Sequence, residues 1–249
     1  MLIKLKRTRT HHEDRNLALC LATSAGLLNA VALAAFGFFP SHMSGNVSQI
    51  SPDLNQMDLY NLKIFVTLIA AFVTGAVVAR IAVVMGIIKG IRTIFSCILL
   101  AEGVLLILTS LFELYFFSMQ NNVEVLLLLA FLMGVHNATS TQLSNGRVRS
   151  THITGTLTDA GISLGSVFMA MLRRDPSKNI RAFRQQFTTH LVTIFSFLTG
   201  GIAGWLFYNA LGFGSLMGPG IVLVLIASLS ILFTLYKVKT RRCGSALRQ

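Results

Sequence analysis

Six mostly apolar runs, each long enough to cross a bilayer and each flanked at one end by Lys or Arg, constrain this chain more than any other feature. A spanning helix needs about 20 such residues. The runs cover 17–39, 62–85, 93–112, 123–139, 191–208 and the stretch from Pro219-Gly220 to Tyr236. Only 12% of residues are charged and mean hydropathy is +0.69, against about 25% charge in a soluble domain. A cytosolic globule and a disordered chain are both excluded. The net charge of +12 would suggest nucleic acid only on a soluble fold with a solvated basic face. Here the cations lie between apolar runs, so the reading is an all-α integral membrane protein with six transmembrane helices and no nucleic-acid partner.

Cations near span ends collect on the cytoplasmic side of a membrane. Lys4, Lys6, Arg7, Arg9 and Arg15 therefore place the N-terminus inside. Segment 40–61 holds Asp53 and Asp58 but no cation, and 113–124 is also without one, so both are expected outside. Arg80, Lys89 and Arg92 fall inside, as do Arg147, Arg149 and the group from Arg173 to Arg184. The tail from Lys237 to Arg248 is inside too, and Lys63 alone of the 21 cations breaks the pattern. The localisation expected is a bacterial inner membrane with both termini cytoplasmic.

That topology requires a seventh apolar stretch, 153–172, to begin and end on one side. It carries Thr154, Thr156, Thr158, Asp159 and three glycines, and basic clusters flank both its ends. A re-entrant or interfacial element is expected, with a seventh span as the alternative. The basic–apolar N-terminus imitates a signal peptide, but cleavage near 32–34 would destroy half of an internal repeat.

The repeat comprises three matches in the same order. Gly26-Leu27-Leu28-Asn29-Ala30 answers Gly134-Val135-His136-Asn137-Ala138; Ser41-His42-Met43-Ser44-Gly45-Asn46 answers Thr151-His152-Ile153-Thr154-Gly155-Thr156; Phe72-Val73-Thr74-Gly75 answers Phe197-Leu198-Thr199-Gly200. Two membrane repeats, 17–122 and 123–236, lie between basic tails 1–16 and 237–249. Each repeat has three spans, an odd number, so the second enters the membrane inverted. Broken helices in inverted repeats are a recurring transporter plan. Gly45 and Gly155 permit close approach or positive φ, and Ser44 or Thr154 could cap a short helix whose N-terminus favours an anion.

These motifs resemble the YoaK-like family of bacterial multi-pass membrane proteins, a domain of unknown function, over roughly 17–236. The resemblance implies six or seven helices and no known substrate. It also implies an acidic residue where Asn29 stands and Thr where Ser44 stands, so this chain lacks a carboxylate at the first position and keeps a hydroxyl at the second.

The substrate-path candidates are Asn29, His42, Ser44, Gly45, Asn46, Asn137, His152, Thr154, Gly155, Thr156 and Thr158. Asp159 and the mid-span Glu102 are coupling candidates, because an ionisable group at membrane depth is costly unless hydrated or paired. Packing roles compete throughout: interhelical amide bonds for Asn29 and Asn137, interfacial hydrogen bonds for His42, His152 and His136, and a helix cap for Asp159. Cys20, Cys97 and Cys243 form no disulfide or metal spacing, no His pair suits a metal, and no hydrolase constellation or phosphate loop is present. No metal, cofactor or enzymatic activity is expected. The partners expected are the lipid bilayer and a small polar or anionic solute, with a homo-oligomer compatible with the sequence. The function expected is secondary transport of that solute; a non-transporting sensor or scaffold, or a passive channel, is the alternative.

Overall fold

The computed structural model describes residues 11–116, 122–172 and 180–246. The basic positions 4–9, Arg173, Arg174, Lys178 and Arg248 lie outside them, as does part of segment 113–124. Every long element is a helix: α1 His11–Phe36, α2 Met43–Asn55, α3 Leu59–Ile88, α4 Ile94–Phe116, α5 Asn122–Ser144, α6 Ile153–Leu172, α7 Ile180–Leu211 and α8 Met217–Ala246. A short 3-10 helix, Gly212–Leu216, joins the last two. Six stretches are long and apolar enough to cross a membrane. The last, Ile180–Tyr236, spans 57 residues, far more than one crossing needs, and contains both α7 and the apolar part of α8. This is a multi-pass membrane protein.

Burial is arranged for lipid. Val73, Val77 and Ile81 on α3, and Leu225, Leu229 and Leu232 on α8, face outward. The interior instead holds Ser96, Thr109, Ser110, Thr139, Ser140, Thr193 and Ser196 beside its leucines. Lipid is as apolar as leucine, so helices gain by packing small and hydrogen-bonding residues against one another. Many of these hydroxyls bond the carbonyl four residues back, as Thr193 does to Thr189 at 2.9 Å.

Glycines set the closest crossings. A β-carbon on Gly26 of α1 would overlap the carbonyl oxygen of Phe197 on α7, and one on Gly200 would overlap that of Thr23. In the α3/α5 pair, Gly134 lies against the Phe72 carbonyl and Gly75 against that of Phe131. Gly103 and Gly220 face each other where α4 meets α8.

Side-chain contacts give the helix directions. Thr23 lies on Gly200, Leu27 on Gly204 and Phe36 on Phe213, so α1 and α7 run parallel. His136 bonds Leu21 while Asn29 bonds Met133, so α5 opposes α1. Ser110 reaches Phe213 and Ser96 reaches Ser230, so α4 opposes α8. The chain thus alternates through α1, α3, α4, α5, α7 and α8. Since α7 starts from the end of the bundle where α5 finishes, α6 makes no net crossing. It is one continuous 20-residue helix packed on α7, rather than the short helix anticipated from its glycines and hydroxyls.

Candidate functional site

The chain breaks after α1 and again after α5. Gly37 (φ 76°) ends the first helix; Asn145 (φ 54°) and Gly146 (φ 81°) end the other. These left-handed conformations suit Gly and Asn. Each following segment is then drawn back onto the helix it has left. Ser41 Oγ donates to Asn29 Oδ1 at 2.8 Å. Thr151 Oγ1 and Ser150 Oγ donate to Asn137 Oδ1 at 2.9 and 3.2 Å. Each Asn also donates its amide to the carbonyl four residues back, Ala25 and Met133 respectively. Asn29, buried at 4% exposure, is therefore a structural tether.

The consequence is a shared cavity of about 370 Å³. Ser41, His42, Met43 and Ser44 line it from the first break; Thr151, His152, Ile153 and Thr154 line it from the second. Phe72, Asn137, Thr141 and Arg149 complete the wall. Two motifs 110 positions apart thus meet in one space. Of the sequence candidates, His42, Ser44, Asn137, His152 and Thr154 belong to it.

The remaining candidates serve the turns. Gly45 and Gly155 are helical rather than positive in φ. A β-carbon on either would overlap the imidazole of His42 or His152. The Gly155 N–H donates to His152 Nδ1 at 3.1 Å, so a histidine, not the Thr154 hydroxyl, folds over the start of α6, and no side-chain hydrogen bond caps α2. Asn46 is buried and its amide donates to the Phe39 carbonyl at 3.2 Å. Thr156 is buried and its hydroxyl donates to His152 O at 2.9 Å. Thr158 is exposed and bonds Thr154 O. Gly155→Ala is expected to displace the His152 ring and lose its cap bond, costing about 1 kcal/mol, measured as a lowered thermal midpoint in detergent. A midpoint equal to wild type would show that the ring does not matter there.

The coupling candidates part company. Asp159 is exposed, neither buried at membrane depth nor in the first turn of α6. It lines a separate space of about 300 Å³ with Asp14, Arg147 and His190, where Asp14 and Arg147 form an ion pair at 2.8 Å. Glu102 lies fully buried in α4, its Oε1 2.7 Å from His136 Nδ1 on α5. His136 Nε2 meets the Leu21 carbonyl of α1 at 3.0 Å. Arg80 bonds Gln142 at 2.8 Å across the α3/α5 crossing. No cluster of three or more His, Cys, Asp or Glu among the described residues could hold a metal.

Sequence reasoning missed Arg149, Ser41 and Thr151 as wall residues. Ser41 and Thr151 stand in the repeat and are visible there; Arg149 reads in the sequence only as an orientation signal. Among the described residues no carboxylate pairs with the Arg149 guanidinium.

One family model, described as a protein of unknown function (DUF1275), matches residues 17–229. The chain belongs to that family. The match takes in all of α2 to α7, most of α1 and the first part of α8, so both breaks and the whole cavity wall are part of the DUF1275 domain. Neither the curated proteins nor the solved structures contain a match.

Proposed function

We propose that the chain is a secondary transporter of a small anionic or strongly polar solute, held in the cavity between the two breaks. One observation carries this: separate broken segments place hydroxyls, two imidazoles and a guanidinium, unpaired with any carboxylate among the described residues, around a single space. Irregular backbone at membrane depth is stable only where protein or a watery cavity covers it. Arg149 supplies the positive charge, Ser44 and Thr154 the hydrogen bonds.

An inverted repeat supports the same reading. Gly26 on Phe197 corresponds to Gly134 on Phe72, and Gly200 on Thr23 to Gly75 on Phe131, each residue exchanging with its repeat equivalent. The equivalent helices α1 and α5 run in opposite directions. Alternating access would then rock the α1–α7 pair against the α3–α5 pair around the cavity. Cation placement orients the Arg147 end towards the cytoplasm of a bacterial inner membrane.

The test is uptake of labelled small anions (acetate, phosphate, sulfate, chloride) into proteoliposomes. Wild type should take up one of them saturably. Arg149→Gln removes a charge-assisted contact worth about 1.5–3 kcal/mol, so its apparent affinity should fall about ten- to a hundredfold with an unchanged thermal midpoint. Uptake that never saturates and ignores ion gradients would make the protein a channel. Absence of any flux with folded wild type would leave a sensor or scaffold.

A further inference from the structure

The Glu102–His136 pair belongs to neither broken segment, yet it is sealed most completely. Both side chains have zero exposure, and they join three helices, α4, α5 and, through the Leu21 carbonyl, α1. The hydrogen-bond pattern fixes its protons. A backbone carbonyl only accepts, so His136 Nε2 carries a hydrogen towards Leu21 O. The 2.7 Å contact between Nδ1 and Glu102 Oε1 then holds one proton between the two, either as imidazolium against carboxylate or as imidazole against carboxylic acid. In both forms the pair is neutral, the least costly state in a dry interior. Glu102 Oε2, however, is buried with no hydrogen-bond partner. It is an open acceptor where an acceptor without a donor costs about 1–3 kcal/mol.

We infer that Glu102 and His136 form a proton-binding site, with Glu102 Oε2 as the atom that takes up the exchangeable proton. One proton from a solvent hydronium ion adds to Oε2, its O–H bond forming as the hydronium's breaks to leave water, and the pair passes from neutral to a single positive charge; release to water reverses this with no other reactant. Among the described residues no other charged group is hydrogen-bonded to the pair. Asp14 on α1 is held by Arg147. Glu113 on α4 and Glu124 on α5 lie about three turns from Glu102 and His136 respectively. On α3, Arg80 is bonded to Gln142 and Lys63 sits in the second turn. The described side chains of α8 include no charged residue. The thiol of Cys20 adjoins Leu21 on α1. His136 directly precedes Asn137, which tethers the second break and lines the cavity. A charge gained at the pair therefore acts on the helix turn that shapes the solute space. As the driving site of solute movement, this inference rests on the transport reading above; as a proton site, it stands alone.

The test is infrared difference spectroscopy of the full protein in lipid, stepped between neutral and acidic pH. Acidification should raise one carboxylic-acid carbonyl band per protein, shifted by carboxyl-labelled glutamate. The band should vanish in Glu102→Gln and persist in Glu113→Gln, which removes the other buried glutamate. If Glu102→Gln does not fold, His136→Gln offers the second measurement, since loss of the imidazole must move the band. A band unchanged by Glu102→Gln and His136→Gln, or removed by Glu113→Gln alone, overturns the inference. Calorimetry with the same four anions separates the two readings. Anion binding without the Glu102 band sinks the proton site alone, and the band without anion binding sinks the cavity reading alone.

Discussion

Gly26→Val is expected to cost about 3 kcal/mol or more and to lower the yield of folded protein in the membrane. The reason is that the α1/α7 crossing has no room for a β-carbon: the overlapping atom is the Phe197 carbonyl oxygen, a backbone atom that yields only if the two helices part. Overpacking of flexible side chains typically costs about 1–3 kcal/mol, and a rigid backbone sits at or above the upper end. Separation would also disturb the neighbouring contacts of Gly200 and Gly204 with Thr23 and Leu27. Gly161→Ala is the matched control. Nothing lies within 4 Å of a β-carbon at Gly161, so the change should be neutral or stabilise α6 by up to about 1 kcal/mol. Thermal or denaturant unfolding in detergent distinguishes them. Equal midpoints for both variants would mean that the crossing is not held by glycine contact.

The second large effect concerns the buried pair. In His136→Ala, the Glu102 carboxyl keeps its burial and loses the one hydrogen bond its side chain makes among the described residues. Removing one partner of a buried ion pair costs about 3–5 kcal/mol, and a similar loss in unfolding free energy is expected here. Glu102→Leu combined with His136→Leu should recover most of it, because apolar replacement of a whole buried pair is often neutral. The double-mutant cycle is therefore expected to be strongly non-additive. Additive losses would show that the two side chains fold independently and that the 2.7 Å contact carries no coupling.

Both effects arise from features with different visibility in the sequence. The glycines of the crossings stand inside the repeated motifs, Gly26 with Gly134 and Gly75 with Gly200, so their recurrence was legible although their backbone partners were not. Glu102 was recognisable as a carboxylate in mid-span; its partner was not, because His136 lies 34 positions away on a helix whose rotation no local pattern records. The hydroxyls of Ser44 and Thr154 in the two motifs suggest helix caps, whereas an imidazole lies over the glycine in each. Asp159 drew attention as an acid in an apolar stretch, yet α6 presents it at an exposed position beside Arg147 and His190.

The sequence by itself determined the environment, the helical class, the number of spans and their alternation. These follow from solvent physics acting on local runs: a bilayer core demands about 20 apolar residues with every backbone group bonded inside the helix, and cations resist translocation wherever they stand. It also marked the two places where a helix ends and restarts, since Gly, Asn and hydroxyl residues are costly to place against lipid. Only the tertiary structure decided that both restarts open onto one cavity, that Arg149 faces it, and that Glu102 meets His136. Those outcomes depend on how each helix is rotated about its axis and how closely it approaches its neighbour. Glycine-to-carbonyl contacts between α1 and α7, α3 and α5, and α4 and α8 fix both quantities, and such contacts are sums over residues distant in the chain that no single run contains.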